Sequence, residues 1–537
     1  MNIHTRYALI AIVLLAFFLR FYRVTQIPPA LSWDEVSIGY NAYSILKTAR
    51  DEHGKVLPVA AFAAYGDYKP PIPIYLTVPF VALLGLGELS VRLPSVLLGT
   101  LTVVMAFFLV RELRLVKLKH LPLLATLILA ISPWHIQLSR AGFEANIAVF
   151  FMVLGVWSVL SVERNYRFLL GCWVPFVLAM YTFNSARYVA PLLALGLFVF
   201  VLRHAKIHKR ELIAGIAIAV FLLLPIVPHI VSREARLRFE EVNIFTDLSV
   251  VTTSNERIAL DRAAWWSKMF HNRRVGYARS YLIHFFDHFQ PWFLFVRGDG
   301  NPKFSIQDVG QLYFVEGPLL VIGIFWLFFK YPRVAWLLVY WVVVSIIPAA
   351  TARETPHALR IENSLPVWQI IAGAGILVLI YEKKKHIFGR LIIMGVVCLY
   401  VFQFGYYWHN YYTHYPVEFS RDWQFGYKEA VTYIKTIGDR YDTIVISESI
   451  GRPYMYVLFY ERYDPDAFRK TVDGSFDAAG FYNVYGFGKY RFTRQGVGDY
   501  PGRVLYVLPA DHVPKNAHIY QNIRLLNGES TLVMFDV

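Results

Sequence analysis

The chain has 537 residues, of which 56% are hydrophobic and only 17% are charged. Soluble proteins carry roughly a quarter charged residues, so this composition excludes an ordinary globular enzyme and places most of the chain in lipid. The two cysteines, Cys172 and Cys398, both fall inside apolar segments, so no disulfide framework is expected.

Apolar segments long enough to cross a bilayer recur through the first three quarters of the chain. A spanning helix needs roughly twenty apolar residues, and on this criterion the sequence predicts about eleven spans. They lie near Tyr7–Phe21, Leu93–Val110, Leu121–Ser132, Asn146–Val162, Phe168–Thr182, Tyr188–Leu202, Leu212–Pro228, Leu312–Phe329, Val334–Ala349, Leu365–Leu379 and Leu391–Trp408. The segment Ile72–Leu84 is shorter and contains Pro79, which favours a helix lying along the membrane surface.

An excess of positive charge is found in every second connector between these spans. The basic set comprises Arg111, Arg114, Lys117, Lys119, Arg164, Arg167, Arg203, Lys206, Lys209, Arg210, Lys330, Arg333, Lys383, Lys384, Lys385 and Arg390. The alternate connectors are mixed in sign. The positive-inside rule therefore predicts that the basic set is cytoplasmic and that Asp34 lies outside the cell. Topology accounts for the net charge of +15, so no nucleic acid partner is expected.

Two outer loops, about residues 25–92 and 229–311, are long. The first contains the acidic pair Asp34 and Glu35. The second is dense in aromatic residues, which is typical of an interfacial helix rather than a free loop.

The composition changes after Trp408, so we predict a membrane part over residues 1–408 and a small α/β domain over residues 409–537, on the outer face. Two roles remain open for this domain, a cap over the bundle and an acceptor-binding module. Its predicted elements are a helix at Trp423–Ile437, a strand at Thr443–Ser447, a helix at Pro453–Tyr460, strands at Val504–Leu508 and Thr531–Val537, and turns at Asp473-Gly474 and Asn527-Gly528.

The strongest candidate for chemistry is Leu31-Ser32-Trp33-Asp34-Glu35, directly after the first apolar segment. A carboxylate held at the membrane boundary by rigid and aromatic neighbours can act as a base on a bound hydroxyl. The alternative is an acidic pair at a helix start, favoured by the helix dipole alone.

Cationic residues accumulate on the same predicted outer face. They are Lys69, Arg140, Arg187, Arg353, His357 and Arg360. Several cations around a carboxylate pair suit an anionic substrate whose leaving group is phosphate. For each single arginine the alternative is snorkelling to the interface or binding a lipid headgroup.

Other motifs carry less information. His284 and His288 are four residues apart, a spacing that could ligate a metal, but packing among the aromatic residues of this loop is the favoured interpretation. A divalent metal as cofactor stays open. A nucleotide-binding fingerprint is absent, which favours a preassembled, membrane-borne substrate.

Several motifs together resemble the bacterial members of the protein O-mannosyltransferase and aminoarabinose transferase superfamily, membrane glycosyltransferases of the GT-C fold. The resemblance covers roughly Phe18 to Trp408. It rests on Leu31-Ser32-Trp33-Asp34-Glu35, Tyr68-Lys69-Pro70-Pro71, Arg92-Leu93-Pro94-Ser95, Ser132-Pro133-Trp134-His135, Glu144-Ala145-Asn146, the segment from Tyr181 to Arg187, and Thr355-Pro356-His357-Ala358-Leu359-Arg360.

The resemblance implies an inverting transferase that uses a polyprenyl-phosphate sugar. It implies Asp34 as the catalytic base with Glu35 assisting. The residues implied to line the donor site are Tyr68, Lys69, Arg140, Glu144, Arg187, His357 and Arg360. The acceptor is a hydroxyl of unknown kind, and the expected location is the plasma membrane with an extracytoplasmic active site.

Two other functions are compatible with an outer cationic face. A flippase or transporter of lipid-linked sugars would show polar residues near mid-bilayer and an internal repeat, and the sequence has neither. A polymerase or ligase that uses diphosphate-linked glycans shares the cationic face and differs only in donor chemistry.

Overall fold

The computed structural model describes residues 2–65, 67–202, 208–232, 235–236, 240, 242–383, 387–477 and 481–537. The predicted cytoplasmic residues Arg203, Lys206, Lys384 and Lys385 lie outside the described residues. The side chain of Lys383 also lies outside them.

The described chain is mainly helical, as predicted. Its α-helices are α1 Ile3–Phe21, α2 Trp33–Thr48, α3 Pro71–Leu84, α4 Glu88–Glu112, α5 Leu121–Ile131, α6 Pro133–Arg140, α7 Glu144–Leu160, α8 Val174–Met180, α9 Ala186–Leu202, α10 Lys209–Leu223, α11 Val227–Ile230, α12 Leu248–Leu260, α13 Trp265–Phe270, α14 Arg273–Asp287, α15 Glu316–Lys330, α16 Pro332–Ala349, α17 Ala358–Ile361, α18 Val367–Lys383, α19 Ile387–Thr413, α20 Tyr415–Glu418, α21 Tyr427–Ile437, α22 Pro453–Glu461 and α23 Pro465–Thr471.

The strands are few and concentrated near the end of the chain. They are β1 Phe62–Ala64, β2 Asp67–Lys69, β3 Thr443–Ser447, β4 Asp473–Phe476, β5 Tyr482–Phe487, β6 Tyr490–Thr493, β7 Val504–Leu508, β8 His518–Arg524 and β9 Ser530–Asp536.

The helices make this a membrane protein, but the predicted number of spans is not confirmed. Within the described ranges, 6 helices are long and apolar enough to cross a bilayer, or up to 8 if each of 2 bent pairs is one span. The bent pairs are α5 with α6, at 55°, and Ala358–Ser364 with Val367–Tyr381, at 60°. Several predicted spans, such as Tyr188–Leu202, correspond to apolar helices of fewer than 18 residues.

The chain divides into two compact units, which are described separately. The first unit contains Met1–Leu15, Leu101–His135 and Ala148–Phe404, and the second contains Ala16–Thr100, Ile136–Ile147 and Gly405–Val537. The predicted boundary between residues 408 and 409 stays a prediction.

The first unit is held by close helix packing between α15 and α18. A Cβ atom at Gly323 would overlap the carbonyl group of Ile371, and one at Gly375 would overlap that of Leu319. Glycine is therefore needed at both positions, because the two backbones are in contact. Small residues that allow such an approach are typical of helix packing in membranes.

The second unit contains a mixed sheet of seven strands in the order β4-β5-β6-β3-β7-β9-β8. The central strand β3 pairs in parallel with β6 on one side and with β7 on the other. The bounds Thr443–Ser447 are those of the predicted strand, and all five of its residues are buried, as in a strand covered on both faces.

Helix α2 packs against α22 of the sheet region, within the second unit. The Tyr456 hydroxyl donates a hydrogen bond to the Leu31 carbonyl oxygen at 2.9 Å. A Cβ atom at Gly39 would lie 2.5 Å from the Phe459 ring, so the helices touch at a glycine. The segment that carries Asp34 therefore rests on the last part of the chain.

The predicted C-terminal sheet region is confirmed, but one of its two predicted turns is wrong. Asn527-Gly528 forms the predicted turn, with a hydrogen bond from the Gly528 amide to the Leu525 carbonyl at 2.9 Å. Asp473-Gly474 instead begins β4, where the pairing with β5 changes register. Glycine is tolerated at such a bulge, which explains why the local turn signal misled.

Candidate active site

The first turn of α2 is built by a capping box. The Ser32 side chain accepts a hydrogen bond from the Glu35 amide at 3.4 Å, and the Glu35 carboxylate accepts one from the Ser32 amide at 2.8 Å. This reciprocal arrangement satisfies helix-end donors and defines where α2 begins. Asp34 is therefore placed on the first turn, where the helix dipole favours a negative charge.

Glu35 is fully buried and paired with Arg92. The Arg92 Nε atom lies 2.8 Å from Glu35 Oε1, and both side chains have 0% exposure. The Gly142 amide also donates to Glu35 Oε1, at 3.0 Å. Arg92 donates further to the carbonyl oxygens of Val24, Pro28 and Ala30. Every strong contact of Glu35 is thus internal, which suits a residue that holds the loop in place.

Asp34 has a different environment, because its side chain is 30% exposed. Its Oδ1 atom lies 2.6 Å from the Lys69 Nζ atom, and the same Nζ atom lies 3.5 Å from Glu144 Oε1. The side chains of Lys69 and Glu144 are each 8% exposed. The buried Lys69 ammonium group therefore lies between a partly exposed carboxylate, Asp34, and a buried one, Glu144. Of these two carboxylates, Asp34 is the one that a substrate can reach.

Lys69 reaches this position from the hairpin of β1 and β2. In the antiparallel pairing, Lys69 is opposite Phe62 and Tyr68 is opposite Ala63. Phe62 is fully buried, so the register of the hairpin is set by the core. The lysine is consequently held by a strand rather than by a free loop.

Arg140 is fully buried and saturated by internal acceptors. It donates to the carbonyl oxygens of Leu19, Arg20, Tyr22 and Ile27 and to the Tyr411 hydroxyl. Since these acceptors engage Nε and both terminal nitrogens, Arg140 anchors the end of α1. Its predicted donor-binding role stays untested, and these contacts do not favour it.

The first unit holds the remaining predicted residues. The Ser185 hydroxyl donates to the Arg360 carbonyl at 3.1 Å, which ties the segment before α9 to α17. Arg187 donates to the Met180 carbonyl at 3.3 Å, and Arg360 donates to the Glu354 carbonyl at 3.2 Å. The structure therefore connects the Arg187 and Arg360 segments within one unit.

His357 belongs to a buried cluster with His288 and Asp299. The His357 amide donates to His288 Nε2 at 3.3 Å, and the Ala358 amide donates to Asp299 Oδ2 at 2.6 Å. Burial lowers the pKa of His288 to about 4 and holds the pKa of His357 well below its ordinary value. Burial raises the pKa of Asp299 to about 6. The two imidazoles are thus neutral at pH 7.

Thus the structure groups the predicted residues in two sets. Asp34, Glu35, Tyr68, Lys69, Arg140 and Glu144 belong to the second unit, and Arg187, His357 and Arg360 belong to the first. Their individual catalytic and binding roles stay predictions.

The histidines considered for a metal are engaged otherwise. His284 Nδ1 lies 2.8 Å from the Ala352 carbonyl oxygen, and His288 Nδ1 lies 2.8 Å from the His284 carbonyl oxygen. Among the described residues, no group of three or more histidine, cysteine or acidic side chains is arranged to hold a metal ion.

Sequence reasoning did not predict two residues that organise these clusters. In the sequence, Arg92 appears only as part of a motif at the start of an apolar segment. Burying an arginine at such a position costs free energy of desolvation, so its presence there indicates a buried acidic partner. Asp299 was interpreted as part of a tight turn at Gly298-Asp299-Gly300, and nothing in the local sequence indicates its contact with the Ala358 amide.

Comparison with known proteins shows which family and which solved structures the chain is similar to. Residues 10–228 match the family described as dolichyl-phosphate-mannose-protein mannosyltransferase. The whole chain (100%) matches 98% of ArnT from Cupriavidus metallidurans bound to undecaprenyl phosphate, with a TM-score of 0.55 and 12% identity. The chain therefore shares the fold of this ArnT structure. The predicted resemblance is thereby confirmed.

A second solved GT-C structure is also similar. It is the archaeal oligosaccharyltransferase AglB from Archaeoglobus fulgidus, in complex with an inhibitory peptide and a dolichol-phosphate. The match has a TM-score of 0.50 and 11% identity and covers 84% of this chain and 63% of AglB. No curated protein matches the chain in sequence. At these identities the structural matches show only the fold of this protein.

Proposed function

We propose that this GT-C protein is an inverting glycosyltransferase. It moves a sugar from a polyprenyl-phosphate donor to a hydroxyl acceptor on the outer face of the plasma membrane. The proposal rests on the Asp34 carboxylate in the first turn of α2. It is partly exposed, and its Oδ1 atom lies 2.6 Å from the Lys69 Nζ atom. A general base needs this combination of accessibility and fixed geometry.

The proposed reaction is a single displacement at the anomeric carbon. Asp34 removes the proton from the acceptor hydroxyl while the acceptor oxygen bonds to the anomeric carbon. The bond between that carbon and the phosphate oxygen breaks, and polyprenyl phosphate leaves with the bonding electron pair. Displacement from the opposite face inverts the anomeric configuration, and cationic side chains stabilise the negative charge on the leaving phosphate.

The contacts divide the candidate residues by role. Lys69 orients Asp34, because its ammonium group joins the Asp34 and Glu144 carboxylates. Glu35 and Arg140 are positioning residues, since their polar atoms bind the protein interior. We assign Arg187 and Arg360 to the donor phosphate, because each guanidinium presents paired donors that suit phosphate oxygens.

The decisive test incubates the purified protein with a panel of polyprenyl-phosphate sugars and a mixture of hydroxyl acceptors. Mass spectrometry then detects free polyprenyl phosphate and the glycosylated product. Turnover of one donor, abolished in Asp34→Asn, supports the proposal. Turnover of diphosphate-linked donors alone identifies a polymerase or ligase. Movement of intact donor across vesicles without bond cleavage identifies a flippase, and either result overturns the proposal.

The outer location of the active site is tested separately in intact cells. In a Cys398→Ser background, cysteines at the exposed positions Lys47 and Arg353 should react with an impermeant thiol reagent. A cysteine at the exposed Lys119, in the basic set of connectors, is the control and should not react. The opposite labelling pattern would refute an extracytoplasmic site.

A further inference from the structure

A cavity of about 620 Å³ lies within the second unit, at the end of the central strand β3. Its wall includes Glu448–Gly451, which directly follow β3, and Arg494, which directly follows β6. After β3 the chain forms β4, β5 and β6, which lie on one side of β3 in the sheet, and then β7, which lies on the other side. In open α/β sheets, ligands bind outside the carboxyl ends of the strands at such a switch point. The volume is within the range of about 300–1,000 Å³ that is typical of ligand pockets.

The chemistry of the wall suits a neutral ligand rich in hydroxyl groups. Its charged members balance, with Arg421, Arg452 and Arg494 against Asp422, Glu448 and Asp477. Arginine and carboxylate side chains can each bind two neighbouring hydroxyl groups. Aromatic rings, including Trp33, Tyr454 and Tyr482, also line the wall. A sugar ring presents an apolar C–H face that packs on such rings.

The Tyr454 hydroxyl is a polar group in this wall that no described residue satisfies. Tyr454 is only 4% exposed, and its hydroxyl has no hydrogen-bond partner among the described residues. A buried hydroxyl without a partner costs free energy, so such groups in a ligand pocket point to a bound polar partner.

The cavity is joined to the first turn of α2 through Trp33, which directly precedes Asp34. The Tyr65 hydroxyl donates to the Trp33 carbonyl at 2.8 Å, which fixes that residue. Gly451 lies against the indole, where a Cβ atom would be 3.0 Å from Cε3, and its φ of +139° requires glycine. A ligand in the cavity therefore contacts the residue that is bonded to the proposed base.

We propose that this cavity binds a neutral glycan, the saccharide part of the acceptor. This inference rests on the proposed function, because it assigns the acceptor class to the site that contains Asp34. The unphosphorylated sugar chain occupies the aromatic wall, and the hydroxyl that is glycosylated extends toward the start of α2.

The test measures saccharide binding without any donor. Full-length protein in lipid nanodiscs, free of glycoside detergents, is titrated with mannotriose, maltotriose and chitotriose by calorimetry. Ser449→Trp places a large ring at an exposed position of the wall and should abolish binding. Tyr454→Phe removes only the unsatisfied hydroxyl, so the protein should fold normally while the Kd rises about two- to tenfold.

Two control variants keep the test specific. Gln521→Trp introduces the same ring at an exposed position on β8, at the opposite edge of the sheet, and Tyr485→Phe removes a hydroxyl outside the cavity. Both should bind the trisaccharide as the parent does.

The outcomes separate this inference from the proposed function. Binding of none of the trisaccharides, equal binding in Ser449→Trp, or binding of a Ser/Thr-rich peptide in their place overturns the glycan site. Donor hydrolysis by the parent protein is measured in parallel and reports the proposed function alone. Saccharide binding without turnover of any polyprenyl-phosphate sugar would refute the transferase and leave the glycan site standing.

Discussion

Replacement of Asp34 by asparagine tests the core of the mechanism. The substitution preserves the size of the side chain but removes its capacity to accept a proton. A general base contributes about a hundredfold to ten-thousandfold in rate, so kcat should fall by that factor. The corresponding increase in the activation barrier is about 3–5 kcal/mol.

The structure predicts that this loss is not caused by unfolding. Lys69 keeps Glu144 at 3.5 Å, so the variant does not leave a buried lysine without a carboxylate. Since the Asp34 side chain is 30% exposed, we expect its ion pair to contribute at most about 1 kcal/mol to stability. Donor binding should be retained, because the substitution removes a negative charge near an anionic substrate.

The assay compares single-turnover rates, donor Kd and thermal stability on the same purified proteins. Asp439→Asn is the matched control, since Asp439 also pairs with a lysine, Lys489 at 3.4 Å, but is fully exposed. The control should retain the parent rate. An Asp34→Asn protein that transfers sugar at the parent rate would refute Asp34 as the base and leave the acidic pair as a helix-start feature.

Three further predictions follow from the contacts. Glu35→Gln should destabilise the fold by about 3–5 kcal/mol, because it leaves the Arg92 charge buried without its carboxylate; an unchanged melting temperature would show that this pair is dispensable. Arg187→Ala should raise the donor Kd by about ten- to 150-fold, the loss of a charge-assisted contact of about 1.5–3 kcal/mol, whereas Arg187→Lys should recover part of the affinity; equal donor Kd values in parent and Arg187→Ala would remove Arg187 from the donor site. Asp299→Asn should stabilise the protein increasingly as pH rises. The pKa of the Asp299 carboxyl group is raised to about 6 in the folded protein, so its ionised form is disfavoured there. The parent protein therefore loses stability as pH rises from the ordinary pKa of an aspartate to about 6. The gain should reach about 3 kcal/mol above pH 7 and vanish near pH 4, and a pH-independent difference in melting temperature would contradict the raised pKa.

Local signals in the sequence predicted much of the fold. The apolar segments correspond to helices, and the β-rich runs Thr443–Ser447 and Val504–Leu508 are strands with those bounds. The acidic pair was considered as a feature of a helix start, and Asp34 and Glu35 do lie in the first turn of α2. The resemblance to GT-C glycosyltransferases was also visible in the sequence, because the motifs that carry it are short and contiguous.

Tertiary structure alone decided the roles within the site. Glu35 and Asp34 are adjacent in the chain, yet one is buried against Arg92, 57 residues away, and the other is partly exposed beside Lys69. From the sequence alone, Arg140 is a candidate ligand-binding cation. In the structure its guanidinium group donates hydrogen bonds to carbonyl oxygens more than 110 residues away in the chain. Sequence pattern cannot separate these cases, because a buried charge and a substrate-facing charge differ only in the distant groups that surround them.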